Sequence, residues 1–191
     1  MPHLVVIAGP NGAGKSTSAP ALLRNTLHLN NFVNADVIAQ GLCAYQPETV
    51  AIQAGRIMLK RMNDLANEGV DFSFETTLSS RHFASWFKKL SLNGYKIHLV
   101  YLCLDSAQLA VQRVRERVAS GGHFVPERII LRRYSASLRN FFHLYTQAVD
   151  SWQLYDNSVA QEITLVASKR QGSTPLISNQ NIWDHLQEKI K

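Results

Sequence analysis

Three sets of residues in this sequence have the types and spacing that phosphate chemistry requires. The run Gly-Pro-Asn-Gly-Ala-Gly-Lys-Ser at residues 9–16 has the pattern G-x-x-x-x-G-K-S. In this pattern the glycines let backbone N–H groups approach phosphates, the lysine reaches the β- and γ-phosphates, and the hydroxyl binds Mg²⁺. The other two sets are carboxylates that follow apolar runs, at Asp36 and Glu75, and a stretch rich in arginine between residues 113 and 133.

The residues on either side of the glycine-rich run place it between a strand and a helix. Leu4 to Ala8 are apolar and predict a buried strand at about residues 3–8, and Thr17 to Leu23 can begin a helix. The helix N-terminus would add partial positive charge. A chance match in a glycine-rich turn is the alternative, and the flanking elements argue against it. We predict that ATP is bound by Gly9, Pro10, Asn11, Gly12, Ala13, Gly14, Lys15, Ser16 and Thr17, with Lys15 also acting in catalysis and Ser16 binding Mg²⁺.

Asp36 is the first of the two carboxylates. Residues 32–36 read Phe-Val-Asn-Ala-Asp, which predicts a short second strand ending in an acid. In doubly wound sheets the carboxyl ends of strands line the ligand crevice, so we expect Asp36 to face the same crevice as Lys15. A carboxylate there can bind an acceptor hydroxyl and take its proton during phosphoryl transfer. On spacing alone, capping of the following helix by Asp36 is an equally good interpretation.

Glu75 is the second carboxylate. Residues 70–74 predict a third strand that ends at Glu75, and Thr76 follows directly. An acid in this position can hold Mg²⁺ directly or through water, or it can bind substrate hydroxyls together with Thr76, and the sequence leaves both roles open. Asp105 ends the apolar run at 97–104 and competes for the metal role. Ser106 and a predicted helix follow it, so capping is the better interpretation of Asp105.

The arginine-rich stretch predicts a lid. Arg113 and Arg117 are four residues apart on one predicted helix, and Arg128 and Arg132 repeat this spacing on the next, beside Arg133. A Gly-Gly turn joins the two helices. Such a pair can close over phosphates, where arginines neutralise the charge of the transition state, so we assign Arg117 and Arg132 to catalysis and Arg113 to substrate binding. The alternative is a solvated basic face.

Two loop segments near this stretch are open to more than one interpretation. His123 follows the Gly-Gly turn and can touch a phosphate, although a single loop histidine is more often exposed. The residues Asp156-Asn157-Ser158 can line the pocket for the nucleotide base or form an ordinary turn.

Composition narrows the classes of protein. The chain has 191 residues, 46% of them apolar, and a net charge of +6. No apolar run has the length of a membrane span, and no basic segment precedes the first strand, so we expect neither membrane insertion nor a signal peptide. Two scattered cysteines, Cys43 and Cys103, favour the reducing cytoplasm, with Cys103 as a core thiol. The basic charge fits phosphate substrates better than nucleic acid, because the sequence lacks an aromatic stacking pattern.

Strands and helices alternate along the chain. This order predicts an α/β fold, a P-loop NTPase with a parallel sheet and helices on both faces. Later strands are predicted at residues 97–104 and 163–167. Helices are predicted from Pro47, near 79–93, near 106–120, from Pro126 to about Ala148, and at the C-terminus. We expect a single kinase domain over residues 1–191, with a small helical lid at about 113–133.

Four motifs in order resemble the zeta toxin family of P-loop kinases. They are the glycine-rich run from Ala8 to Thr17, the segment 32–36, the segment Phe-Glu-Thr-Thr-Leu at 74–78, and the Gly-Gly-His turn with the later Arg132-Arg133 pair. The resemblance covers roughly residues 4–158. The glycine-rich run alone is shared by many kinases and ATPases, and the ordered set is much more specific.

The resemblance implies an adenylate-kinase-like core that uses ATP and Mg²⁺. Characterised members phosphorylate UDP-N-acetylglucosamine on a sugar hydroxyl. Carried over, Lys15 binds ATP phosphates, Asp36 is the general base, and Glu75 binds substrate or organises the metal. A small-molecule substrate, such as a nucleotide sugar, and an antitoxin protein are the partners that the resemblance implies. The alternatives are a kinase for a nucleoside, another sugar or an antibiotic, a nucleic-acid-associated ATPase, and a nucleotide-binding switch without transfer.

Overall fold

The computed structural model describes residues 1–20, 29–160 and 162–190. Its first strand, β1, spans His3–Ala8, and the first helix, α1, spans Lys15–Pro20. The predicted strand at 3–8 is therefore confirmed. The rest of the predicted first helix, up to Leu23, lies outside the described residues.

Seven strands form one mixed sheet in the described part of the chain. Its spatial order is β2-β3-β1-β4-β5-β6-β7. The first five of these are parallel, whereas β6 runs antiparallel to β5 and β7 runs antiparallel to β6. The remaining strands are β2 Phe32–Val33, β3 Phe72–Thr76, β4 Lys96–Cys103, β5 Ser151–Asp156, β6 Thr164–Lys169 and β7 Leu176–Ile177.

The helices follow the predicted alternation with the strands. A short 3₁₀ helix at Pro47–Val50 begins with the proline that predicted a helix start, and it leads directly into the helix at Ala51–Glu68. The helices are α2 Ala35–Leu42, α3 Ala51–Glu68, α4 His82–Leu92, α5 Ala107–Ala119, α6 Glu127–Asn140, α7 Thr146–Ala148 and α8 Gln180–Glu188. None of these described helices is both long and apolar enough to cross a membrane.

The central strands are buried on both faces. In β1, Leu4 and Val6 belong to one apolar cluster, while Val5 and Ile7 belong to another. Alternating sides of a strand point to opposite faces of the sheet, so each face packs against its own layer. This explains why β1 is a continuous apolar run, as expected for a parallel sheet covered on both sides. Cys103 is buried, in agreement with its prediction as a core thiol, and Cys43 is also unpaired.

Three parts of the predicted secondary structure and topology are corrected. The sheet is mixed rather than parallel throughout, because the chain after β5 returns by antiparallel strands. The strand β5 was not predicted, although Trp152 and Leu154 alternate with exposed or half-buried residues in the two-residue period of a strand. The predicted helix from Pro126 to Ala148 is interrupted by a π-helical turn at Phe141–Tyr145.

Candidate active site

The glycine-rich run forms a tight loop between β1 and α1. Gly9 has φ +144°, and a Cβ there would lie 2.2 Å from the carbonyl oxygen of Leu102, so only glycine fits. Gly14 has φ +80°, and a Cβ would meet the side-chain amide of Asn157 at 2.5 Å. The Asn157 amide donates a hydrogen bond of 2.9 Å to the Ala13 carbonyl. The neighbouring strands therefore hold the loop in one conformation.

Lys15 lies at the centre of this loop and is 7% exposed. Its Nζ donates to the Pro10 carbonyl at 2.9 Å and lies 3.8 Å from Glu75 Oε1. Burial lowers the pKa of Lys15, and the charges of Glu75 and Asp36 oppose that shift, while Arg117 and Arg133 reinforce it. A buried ammonium group beside two guanidinium groups is a site that an anion would stabilise.

Glu75 joins the glycine-rich loop to the second strand. The register of β1 and β3 pairs it with Ile7, just before the loop. Its Oε2 accepts hydrogen bonds of 2.8 Å from Ser16 Oγ and from Asn34 Nδ2. Glu75 thus contacts both Ser16 and Lys15 of the glycine-rich loop, while its role toward metal or substrate stays a prediction. Thr76 follows at the strand end, where its Oγ1 accepts the Leu78 amide at 3.1 Å.

Asp36 lies on a helix rather than at a strand end. The strand β2 ends at Val33, and Asp36 is in the first turn of α2, where an acid suits the helix dipole. The cap is Asn34, whose Oδ1 accepts the Asp36 amide at 2.7 Å. Both sequence interpretations of its local position, strand end and cap, are therefore wrong. The charge of the Asp36 carboxylate nevertheless opposes the lowering of the pKa of Lys15 and of Arg133 that their burial causes.

Arg133, and not Arg132, faces the glycine-rich loop. Its guanidinium lies 3.5 Å from Asn11 Oδ1, and burial lowers the pKa of Arg133. Arg132 is exposed to solvent. The helix α6 buries Ile130, Tyr134 and Leu138, so the residue before Tyr134 turns inward while Arg132 lies on the outer face. The predicted assignment of Arg132 to catalysis is not supported by this placement, and the same apolar period identifies Arg133.

Arg117 lies in the last turn of α5, beside the lid turn that joins α5 to α6. Its guanidinium donates to the His123 carbonyl at 2.8 Å, and its Nε is buried without a hydrogen-bond partner among the described residues. Gly122 packs on it so closely that a Cβ would lie 2.6 Å from Arg117 Cγ. His123 is largely buried instead of exposed, and its Nδ1 lies 4.0 Å from Glu48 Oε2. The lid turn therefore reaches across to the 3₁₀ helix.

Arg113 contacts a loop rather than open space. It donates to the carbonyl oxygens of Asn157 at 2.5 Å and Ser158 at 2.8 Å. These hydrogen bonds hold the loop after β5 beside the glycine-rich loop, and the role of Arg113 in binding substrate stays a prediction. Asp105 also differs from its prediction, because Ser106 caps α5. Asp105 instead pairs with His185 of α8 and with Lys189, the residue that follows α8.

The residues present fit a polyphosphate with a magnesium ion. The orphaned Nε of Arg117 and the buried ammonium of Lys15 are donors that phosphate oxygens would satisfy. Ser16 and Glu75 supply the hard oxygen atoms that Mg²⁺ prefers. The described ranges contain no group of three or more His, Cys, Asp or Glu side chains suited to a metal. Because Mg²⁺ usually keeps waters and phosphate oxygens, two protein oxygens are sufficient.

Comparison with known proteins gives the family. The model of the Zeta toxin family matches residues 1–181. The chain belongs to the zeta toxin family. An uncharacterized protein of Haemophilus influenzae is 30% identical over 130 residues, which is 68% of this chain and 91% of that protein. The sequence-based resemblance is therefore confirmed.

Solved structures of other proteins share the fold of this chain. A chain of the AvrRxo1-ORF1:-ORF2 complex with ATP superposes with a TM-score of 0.80 at 17% identity, over 97% of this chain and 63% of that one. A structure from the PezAT toxin–antitoxin system of Streptococcus pneumoniae gives 0.66 at 16% identity, over 98% of this chain and 78% of that one. The chain thus spans less than two thirds of the AvrRxo1 chain. This member of the zeta toxin family has an α/β P-loop fold.

Proposed function

We propose that this zeta toxin family member transfers the γ-phosphoryl group of ATP to a hydroxyl group of a small molecule. The observation that carries the proposal is the convergence of Lys15, Arg117 and Arg133 with two carboxylates, Asp36 and Glu75, around one glycine-rich loop. A nucleotide-binding switch needs the cations and one carboxylate for Mg²⁺, a role that Glu75 can fill. Transfer to a hydroxyl needs in addition a group that can take its proton, which is the role open to Asp36.

The loop and its cations form the nucleotide side of the site. Backbone N–H groups of the glycine-rich loop and Lys15 would hold the phosphates of ATP, and Ser16 with Glu75 would hold Mg²⁺. When bound, Mg²⁺ neutralises charge that develops on the phosphate oxygens. Glu75 also accepts hydrogen bonds from the side chains of Ser16 and Asn34, and these bonds hold both side chains in position.

The acceptor side of the site is the segment from α2 through the 3₁₀ helix, residues 35–50. Asp36 is exposed there, within the electrostatic reach of Lys15 and Arg133. We assign it as the general base that binds the acceptor hydroxyl and takes its proton. Arg117 and Arg133 would neutralise charge on the transferring group, and the lid turn at residues 121–123 would exclude water from it.

A nucleotide sugar is the acceptor that the family suggests, and UDP-N-acetylglucosamine is the first compound to test. Two of the similar structures come from toxin–antitoxin work or from a two-protein complex, which supports an antitoxin as a protein partner. We place the protein in the cytoplasm, because both cysteines carry free thiols and the reaction uses ATP.

The direct test is incubation of the purified protein with ATP, Mg²⁺ and UDP-N-acetylglucosamine. Mass spectrometry would show a product heavier by one phosphate, and Lys15→Ala would abolish it. A product that persists in Lys15→Ala would contradict the proposal. If the wild-type protein binds ATP but phosphorylates neither this sugar nor any compound of a metabolite extract, the kinase assignment fails. If a different compound is phosphorylated, only the acceptor is wrong.

A further inference from the structure

The loop that follows β3 contains an unusual backbone conformation. Leu78 has φ +58°, although it is not glycine, and its side chain is completely buried. Non-glycine residues in this region are strained and persist only where surrounding contacts hold them. The loop begins directly after Glu75 and Thr76, at the edge of the sheet where the nucleotide and acceptor sides meet.

Two residues beyond the lid hold this loop. The Asn140 side-chain amide donates to the carbonyl oxygens of Leu78 and Ser79, both at 3.0 Å. The Tyr145 hydroxyl donates to the Ser80 carbonyl. The hydroxyl of Thr76 accepts the Leu78 amide from within the loop. The strained turn at Leu78 is thus fixed on both of its sides.

Asn140 directly precedes a π-helical turn, and Tyr145 is the last residue of that turn. The turn spans Phe141–Tyr145, directly after α6, and inserts extra backbone into the helix. Such turns are rare in proteins, and those that occur often lie at functional sites. The extra backbone changes the direction in which Tyr145 projects relative to a continuous α-helix, and here Tyr145 meets the same loop as Asn140.

The helix α6 also contacts the other loops of the site. Arg133 meets Asn11 of the glycine-rich loop, and the Tyr134 hydroxyl donates to the Leu104 carbonyl at 2.8 Å, at the end of β4. The Ser137 and Tyr101 hydroxyls form a buried hydrogen bond of 2.7 Å, which ties the helix to the central strand. One helix therefore connects the lid, the glycine-rich loop and the loop at 76–80.

We propose that Asn140 is a positioning residue, which holds the strained loop at residues 76–80 so that Thr76 can bind the acceptor hydroxyl. This inference rests on the proposed function and deepens it. Asn140 does not touch the nucleotide loop in the structure, so its loss should affect the acceptor step and spare ATP binding. Tyr145 should act in the same direction with a smaller effect, since it holds one carbonyl instead of two.

Hydrogen exchange tests the clamp without an acceptor. In full-length Asn140→Ala, amides of residues 77–80 should exchange about tenfold faster, because one buried side-chain clamp is lost. Amides of the glycine-rich loop should be unchanged, and the affinity for ATP with Mg²⁺ should stay within about twofold of wild type. Tyr145→Phe removes only a hydroxyl and provides a second, milder variant. Arg139→Ala, an exposed neighbour on the same helix, is the matched control.

Transfer tests the consequence for the acceptor. With ATP labelled in its γ-phosphate and a boiled small-molecule extract of bacteria, Asn140→Ala should transfer about 10- to 100-fold less label at low extract concentration. A more concentrated extract should restore part of that loss, as expected for weakened acceptor binding. Unchanged exchange at residues 77–80, or an equal loss of ATP affinity and transfer, would overturn the positioning role. A wild-type protein that transfers no label would remove the kinase proposal, while the exchange result would still decide the clamp.

Discussion

The nucleotide side and the acceptor side of the site are built in opposite ways. On the nucleotide side Asn11, Ala13 and Lys15 are buried, and strands, helices and loops contact the glycine-rich loop from several directions. On the acceptor side Val37 is 60% exposed and Tyr45 is 99% exposed. The first side is complete before any ligand binds. The acceptor side is an exposed surface, so an acceptor that binds there must itself order the side chains around it. The buried nucleotide side therefore specifies the type of reaction more closely than the exposed acceptor side specifies the compound that is phosphorylated.

The strongest test of this contrast is the change Asp36→Asn on the acceptor side. The amide keeps the shape but cannot accept a proton, so transfer should fall by about 10²–10⁴-fold. ATP affinity should remain close to that of wild type, because the nucleotide side is unchanged. Binding by calorimetry and transfer by mass spectrometry would be compared in one preparation. Full transfer activity in this variant would exclude Asp36 as the base.

Two neighbouring arginines provide the next test. Arg133→Ala should lower transfer by roughly 100-fold, since it removes a half-buried charge from the phosphate region. Arg132→Ala, one residue away and exposed, should change transfer by less than about twofold. Steady-state kinetics at saturating ATP would measure both. Equal losses in the two variants would mean that the lid contributes general positive charge and not one positioned side chain.

A pair of glycine substitutions compares the two sides directly. Gly14→Ala forces a side chain into φ +80° and against Asn157, so ATP affinity should fall about tenfold and stability by roughly 1–3 kcal/mol. Gly41→Ala lies in α2, with nothing within 4 Å of the added carbon, and should stabilise the protein by about 0.4–1 kcal/mol. Denaturant unfolding and calorimetry check both values. A neutral Gly14→Ala would show that the loop is less constrained than its contacts indicate.

The smallest expected effect concerns pH. Burial lowers the pKa of Lys15 below its usual 10.5, so between that lowered value and 10.5 the unfolded chain binds more protons than the folded one. The destabilisation from this lysine is thus full at low pH and disappears as pH rises. The Tm of Lys15→Met minus that of wild type should therefore decrease from about pH 7 to pH 10. A difference that increases would contradict the burial effect on Lys15.

Local sequence signals were sufficient for one part of the molecule and insufficient for another. The glycine-rich run, the apolar strand before it and Glu75 at the end of β3 could be predicted, because each depends on neighbours in the chain. The phase of α6 decides between Arg132 and Arg133, and the buried positions Ile130, Tyr134 and Leu138 carry that information in the sequence. The period of the buried residues distinguishes Arg133 from Arg132, whereas the spacing between arginines does not.

Other features depend on contacts between distant residues. Arg113 binds the carbonyl oxygens of Asn157 and Ser158, which are more than forty positions away in the sequence. The conformation of Leu78 depends on Asn140, which is equally remote. No periodic pattern reports such pairings, because the partners are backbone atoms that any residue could supply.

The described sheet ends in a two-residue strand on each side, β2 at Phe32–Val33 and β7 at Leu176–Ile177. An edge strand this short exposes few free backbone groups, so another chain finds little template for adding a strand. Fibrous aggregation through sheet extension is therefore disfavoured by the architecture. An antitoxin would accordingly be expected to bind through side chains of helices and loops, which can release it without dismantling a hydrogen-bonded sheet.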